Sequence, residues 1–132
     1  MSFDLAVWHS DAPLTAREAA EVYVRLCKNL PYLEGKSDAV AIFCDELTRR
    51  WPEIDAIPYQ EIDNFELCPW ACNLNRSGMA VVISCVWPMA NKVNAFVGEL
   101  AKRHSLVLYD PQAYRVDLPD NLRDLGNEIP KR

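Results

Sequence analysis

From Met79 to Gln112 the hydrophobic pattern changes period twice. Met79 to Trp87 is a largely β-branched run in which both alternating sets of side chains are apolar, the mark of a strand covered on one face and largely covered on the other. Pro88 suits the first helical position, where its missing N–H costs nothing, and Met89, Val93, Phe96, Val97, Leu100 and Ala101 then recur at helical spacing. Lys102, Arg103 and His104 fall in the last turn, where positive charge meets the negative end of the helix dipole. Leu106 to Tyr109 begins a second strand that stops at Asp110-Pro111. The stretch predicts strand, helix, strand.

Upstream, Phe3 to His9 has strand composition and is ended by Ser10 to Pro13. Thr15 and Glu18 form a capping box for a helix whose stripe is Ala16, Ala19, Ala20, Tyr23, Cys27 and Leu30, with Pro31 and Gly35 breaking it. Ser37 caps a second helix that buries Val40, Phe43, Cys44, Leu47 and Trp51 and stops at Pro52. Phe65 to Cys72 alternates like a strand, although Pro69 cannot donate to a ladder and marks an edge or bulge. Asn73 to Gly78 turns this segment back into the central strand as a hairpin. Ala113 to Leu118 suggests a short extra strand, and residues 115–132 read as a polar, loosely held tail.

This order predicts a single α+β domain over residues 1–132, built as a split β-α-β (ferredoxin-like) antiparallel sheet of about four strands with helices on one face. The other sheet face would then be covered by an acidic loop, the tail or a second copy, so a homodimer is an open possibility.

A net charge of −5 and a sequence pI near 5.0 argue against binding nucleic acid or an anionic membrane and favour a basic partner. The first residues lack the positive flank and apolar core of a signal peptide, and no apolar run approaches the ~18 residues that span a bilayer; a cytoplasmic protein is expected. Of the five cysteines three fall where apolar core side chains are expected, and in a reducing compartment most are simply small buried hydrophobes.

Glu53, Asp55, Glu61, Asp63 and Glu66 lie in a stretch without Lys or Arg, interrupted by Pro58 and accompanied by Tyr59, Phe65 and Trp70. Either this is a solvated loop, or its carboxylates imitate a phosphate backbone while Tyr59 and Trp70 anchor a basic protein. Cys68 and Cys72 lack the two-residue spacing and the second cysteine pair of a zinc site, so no metal is expected. His104 is assigned to the helix terminus, and Tyr109 with Asp110 at a strand end is the candidate ligand contact if a pocket exists; otherwise Asp110 makes an Asx-turn. No phosphate-cradling glycine loop or nucleophile motif occurs, and neither enzyme activity nor a cofactor is expected.

The strand Phe3 to Trp8, the helix through Phe43-Cys44-Asp45-Glu46-Leu47 to Trp51-Pro52, the pair Pro69-Trp70 and the strand Leu106 to Gln112 together resemble small bacterial immunity proteins encoded beside polymorphic or contact-dependent toxins. The resemblance implies a cytoplasmic domain that occludes a cognate toxin stoichiometrically, a nuclease being one such toxin, with the Glu53 to Glu66 loop facing basic residues. The alternative is a small α+β enzyme or ligand-binding domain with a pocket near Cys68, Cys72, His104 and Asp110.

Overall fold

In the computed structural model, which describes residues 2–30 and 35–127, five strands form an antiparallel sheet. They are β1 (Phe3–Trp8), β2 (Asn75–Arg76), β3 (Ala80–Cys85), β4 (Val107–Asp110) and β5 (Arg115–Asp117), in the order β2-β3-β1-β4-β5. Four helices accompany them: α1 (Ala16–Cys27), α2 (Asp38–Arg50), α3 (Ala90–Arg103) and α4 (Asp120–Asn127). β1 lies between β3, paired from Phe3↔Cys85 to Trp8↔Ala80, and β4, paired at Ala6↔Tyr109. The β3-α3-β4 unit therefore straddles β1, which is the split β-α-β arrangement, and β5 extends it beyond the four expected strands.

The helix starts follow local chemistry. Thr15 Oγ1 accepts from Glu18 N–H at 3.1 Å while Glu18 Oε1 accepts from Thr15 N–H at 2.9 Å. Ser37 Oγ accepts from Val40 N–H at 3.2 Å. Pro88 sits in a 3₁₀ turn at Trp87–Met89 that feeds α3.

The helices are divided between the two faces rather than gathered on one. Phe3, Leu5, Val7, Val81, Ile83, Cys85 and Leu108 point to α2 and α3, meeting Phe43, Leu47, Val93, Val97 and Leu100. Ala6, Trp8, Ala80, Val107 and Tyr109 point the other way, onto Ala19 and Val22 of α1 and Leu122 of α4. The alternation of β1 demands this cover, because Leu5, Ala6, Val7 and Trp8 are all at most 1% exposed. Of the acidic loop, the tail and a second copy expected over this face, the tail does supply part of the cover, through Leu122 of α4, and α1 supplies the rest. Its stripe is accordingly turned: Ala19, Val22, Tyr23 and Leu26 pack inward, and Cys27 and Leu30 are exposed.

The strand expected at Phe65 to Cys72 is reduced to one bridge, Trp70↔Cys85. Val86 N–H donates to Pro69 O at 2.7 Å and Ala71 N–H to Ser84 O at 2.9 Å, so pairing begins here. Pro69 has no N–H to continue it, and the hairpin strand is β2 alone. After β5, the stretch read as a loose tail forms α4 and buries Leu122 at 1% exposure, while residues 128–132, like Pro31, lie outside the described residues. Among the described residues no helix is long and apolar enough to cross a membrane.

Candidate functional site

The acidic stretch runs from the end of α2 through two 3₁₀ turns, Ile54–Ala56 and Tyr59–Glu61. Its ends are fastened. Glu53 accepts from Leu74 N–H at 3.0 Å and from Arg76 Nη2 at 2.9 Å, and Asp55 accepts from Asn73 Nδ2 at 2.9 Å. Glu66 accepts twice from Lys92 Nζ, at 2.9 and 3.0 Å. These three carboxylates therefore meet donors supplied by distant segments. Glu61 and Asp63 have no side-chain partner among the described residues, and both are exposed. Beside them in sequence Tyr59 is 86% exposed, and Phe65 and Leu67 are about half exposed.

Trp70 does not join this surface. It is buried, its indole N–H donates to Trp51 O at 3.0 Å and Pro52 O at 3.1 Å, and its ring meets Trp51 edge-on with centroids 6.0 Å apart. The indole ties the start of the loop to the core instead of presenting itself to a partner. Leu67 and Trp87 are among the exposed apolar residues that the sequence reading did not single out. Leu67 occupies the alternation that suggested a strand, and Trp87, half exposed, closes the central run and meets Phe3 edge-on with ring centroids 5.3 Å apart.

His104 and Asp110, two members of the alternative pocket, lie at opposite ends of β4. His104 precedes β4 and Asp110 ends it, so the strand between them, about 10 Å long, holds the two apart. His104 is the C-cap residue of α3 as expected, but its ring faces another helix: Nε2 donates to Glu46 Oε1 of α2 at 2.9 Å, and Arg103 Nη1 reaches Glu46 Oε2 at 3.2 Å. Glu46 thus clips α2 to α3. Tyr109 is buried beneath Tyr23, with ring centroids 5.5 Å apart, and burial pushes its hydroxyl pKa up. It is a core residue rather than a ligand contact.

Asp110 Oδ1 accepts from the N–H groups of Gln112 at 2.9 Å and Ala113 at 3.3 Å, an Asx-turn. Gln112 then carries the β1/β4 pairing past the end of β4. In the β1/β4 register Asp4 would face Pro111, which cannot donate; the Gln112 amide instead donates to Asp4 O at 2.7 Å and accepts from Asp4 N–H at 2.8 Å.

Cys44, Cys68 and Cys85 are buried, and Cys27 and Cys72 are exposed. Burial raises the thiols of Cys44 and Cys85, the latter to about 11, so both stay protonated and unreactive near neutrality. A water-soluble disulfide reagent at pH 7.5 is expected to modify Cys27 and Cys72 rapidly and the other three only on unfolding. Rapid reaction of all five would contradict this burial. Among the described residues no group of three or more His, Cys, Asp or Glu side chains is placed to hold a metal ion.

A cavity of about 250 Å³ lies between α3 and β5, and an open groove of about 600 Å³ runs along α1; Cys68, Cys72, His104 and Asp110 line neither. Comparison with protein-family models, curated proteins and solved structures finds no match to this chain.

Proposed function

We propose that this chain is an immunity-type protein that binds a cognate bacterial toxin in the cytoplasm and occludes it stoichiometrically, with Tyr59, Glu61, Asp63, Phe65 and Leu67 as its binding surface. The supporting observation is a loop fastened at both ends whose middle keeps two carboxylates without internal partners beside an almost fully exposed tyrosine. A fastened loop loses little conformational freedom on binding, so more of the contact energy appears as affinity. The carboxylates steer a basic surface toward the site, and Tyr59 supplies a large anchor. A nuclease fits this chemistry, since its phosphate-binding groups would accept Glu61 and Asp63. Glu53, Asp55 and Glu66 serve the loop's own structure.

The test is a calorimetric titration of the purified chain against the product of the adjacent gene at several salt concentrations. One-to-one binding is expected, with association slowed by salt and by Glu61→Lys with Asp63→Lys. Tyr59→Ala should cost about 2 kcal/mol, roughly thirtyfold in Kd. Binding indifferent to all three substitutions would remove this surface from the reading. Absence of binding, together with no protection of cells making the toxin, would remove the function.

A further inference from the structure

The cavity between α3 and β5 has the opposite charge character to the chain around it. Among the described residues, Lys102 of α3, Arg115 of β5 and Arg123 of α4 line it, against one lining carboxylate, Asp117. Arg115 spends its Nε on Asp117 Oδ1 at 3.0 Å, and its two Nη groups have no partner among the described residues. Arg123 Nη1 stands 4.0 Å from Asp120 Oδ1, a loose pair between exposed groups. Lys102 has no side-chain partner among the described residues, whereas the next residue, Arg103, is committed to Glu46. Three cations drawn from three elements around one cleft repel one another, and an anion between them relieves that repulsion.

The cleft is otherwise apolar. Leu106 and Leu108 are buried in its wall, and Leu118 is packed beside the start of α4. Besides Lys102, α3 presents Gly98 and Ala101 here, and their small size leaves the opening: a Cβ on Gly98 would come no nearer than 3.9 Å to Leu108 Cδ2. A bare anion would satisfy the cations and leave this wall unused.

We infer that the cleft binds a small organic carboxylate, its head held by Lys102, Arg115 and Arg123 and its apolar body laid against Leu106, Leu108 and Leu118. The Arg115 guanidinium offers the planar fork that matches a carboxylate, and Lys102 contributes a movable point charge. The volume of about 250 Å³ falls just below the usual range for drug-sized ligands, so the body must be short. This site shares no residue with the loop proposed above to bind a toxin, and either reading stands without the other.

The test uses the full chain, labelled with ¹⁵N and titrated with sodium octanoate, sodium phosphate and octan-1-ol in parallel. Octanoate should give saturable shifts at the amides of Gly98, Leu106, Arg115 and Leu118, with phosphate and octanol each binding about tenfold more weakly or not at all. Lys102→Met combined with Arg115→Met, both exposed and so compatible with folding, should weaken octanoate about tenfold and erase its preference over octanol. Gly98→Leu, which fills the gap from the helix side, should abolish the shifts while leaving the cations in place. Equal binding of phosphate and octanoate would overturn the apolar half of the proposal, and equal binding of octanol would overturn the charged half. No saturable shift with octanoate would overturn the site altogether.

Discussion

Replacing Trp70 with alanine is expected to lower the unfolding free energy by about 3–5 kcal/mol, a large part of the total for a domain of this size. The ring is 3% exposed and packs edge-on against Trp51, which in turn meets Phe96 at 5.3 Å and carries the Arg50 guanidinium 4.3 Å above its own ring. Truncation opens a void among these rings and leaves the carbonyls of Trp51 and Pro52 without their shared donor. Trp70→Phe keeps most of the ring and loses only that donor, so it should cost about 1–2 kcal/mol. Urea unfolding monitored by circular dichroism separates the two. A loss below about 0.5 kcal/mol for Trp70→Ala would place Trp70 on the surface and return it to the candidate partner contacts. Because the same indole ties down the start of the acidic loop, the alanine variant should also weaken the toxin binding proposed above, through loosened loop geometry rather than a lost contact.

Gly78→Ala should cost about 3 kcal/mol, the upper end of the usual overpacking range. Gly78 lies in the turn before β3, and a Cβ there would overlap the carbonyl oxygen of Gly35 and approach Lys36 Cα to 3.3 Å. These are backbone atoms, so no rotamer change relieves the clash. The displaced segment is the one that donates Ser37 N–H to Gly78 O at 2.8 Å and supplies the cap of α2, so the helix start is disturbed as well. Gly98→Ala is the matched control. Its Cβ meets only Leu108 Cδ2, at an ordinary van der Waals distance of 3.9 Å, and removing a glycine from the interior of a helix should stabilise by about 0.5–1 kcal/mol. Thermal melts of the two variants should move in opposite directions; equal shifts would mean that the close approach of Gly78 to Gly35 does not constrain the fold.

The elements legible in the sequence are those whose signals are local. Capping by Thr15, Glu18 and Ser37, the apolar faces of α2 and α3, and the strand at Ala80–Cys85 each rest on residues a few positions apart, and the structure contains all of them. The candidate site was less legible because burial and pairing there are long-range. A tryptophan beside Pro69 reads equally as anchor or core until Trp51 and Pro52 are seen to accept from it. Likewise, the stretch from Glu53 to Glu66 looks free of basic neighbours because Arg76 and Lys92 belong to β2 and α3. His104 looks like a helix-end histidine, which it is, but its partner Glu46 lies on the preceding helix.

The amino-acid order by itself determined that an apolar strand, an amphipathic helix and a second apolar strand follow one another, and that the sheet they join needs cover on both faces. Hydrophobic period sets secondary structure and the amount of surface to be hidden, and both are written locally. Only the tertiary structure decided what provides the cover. It sent α1 to one face and α2 and α3 to the other, drew Trp70 inward, and gathered Lys102, Arg115 and Arg123 around one cleft. Those outcomes depend on which distant surfaces fit together, and an apolar side chain carries no record of the partner that will bury it.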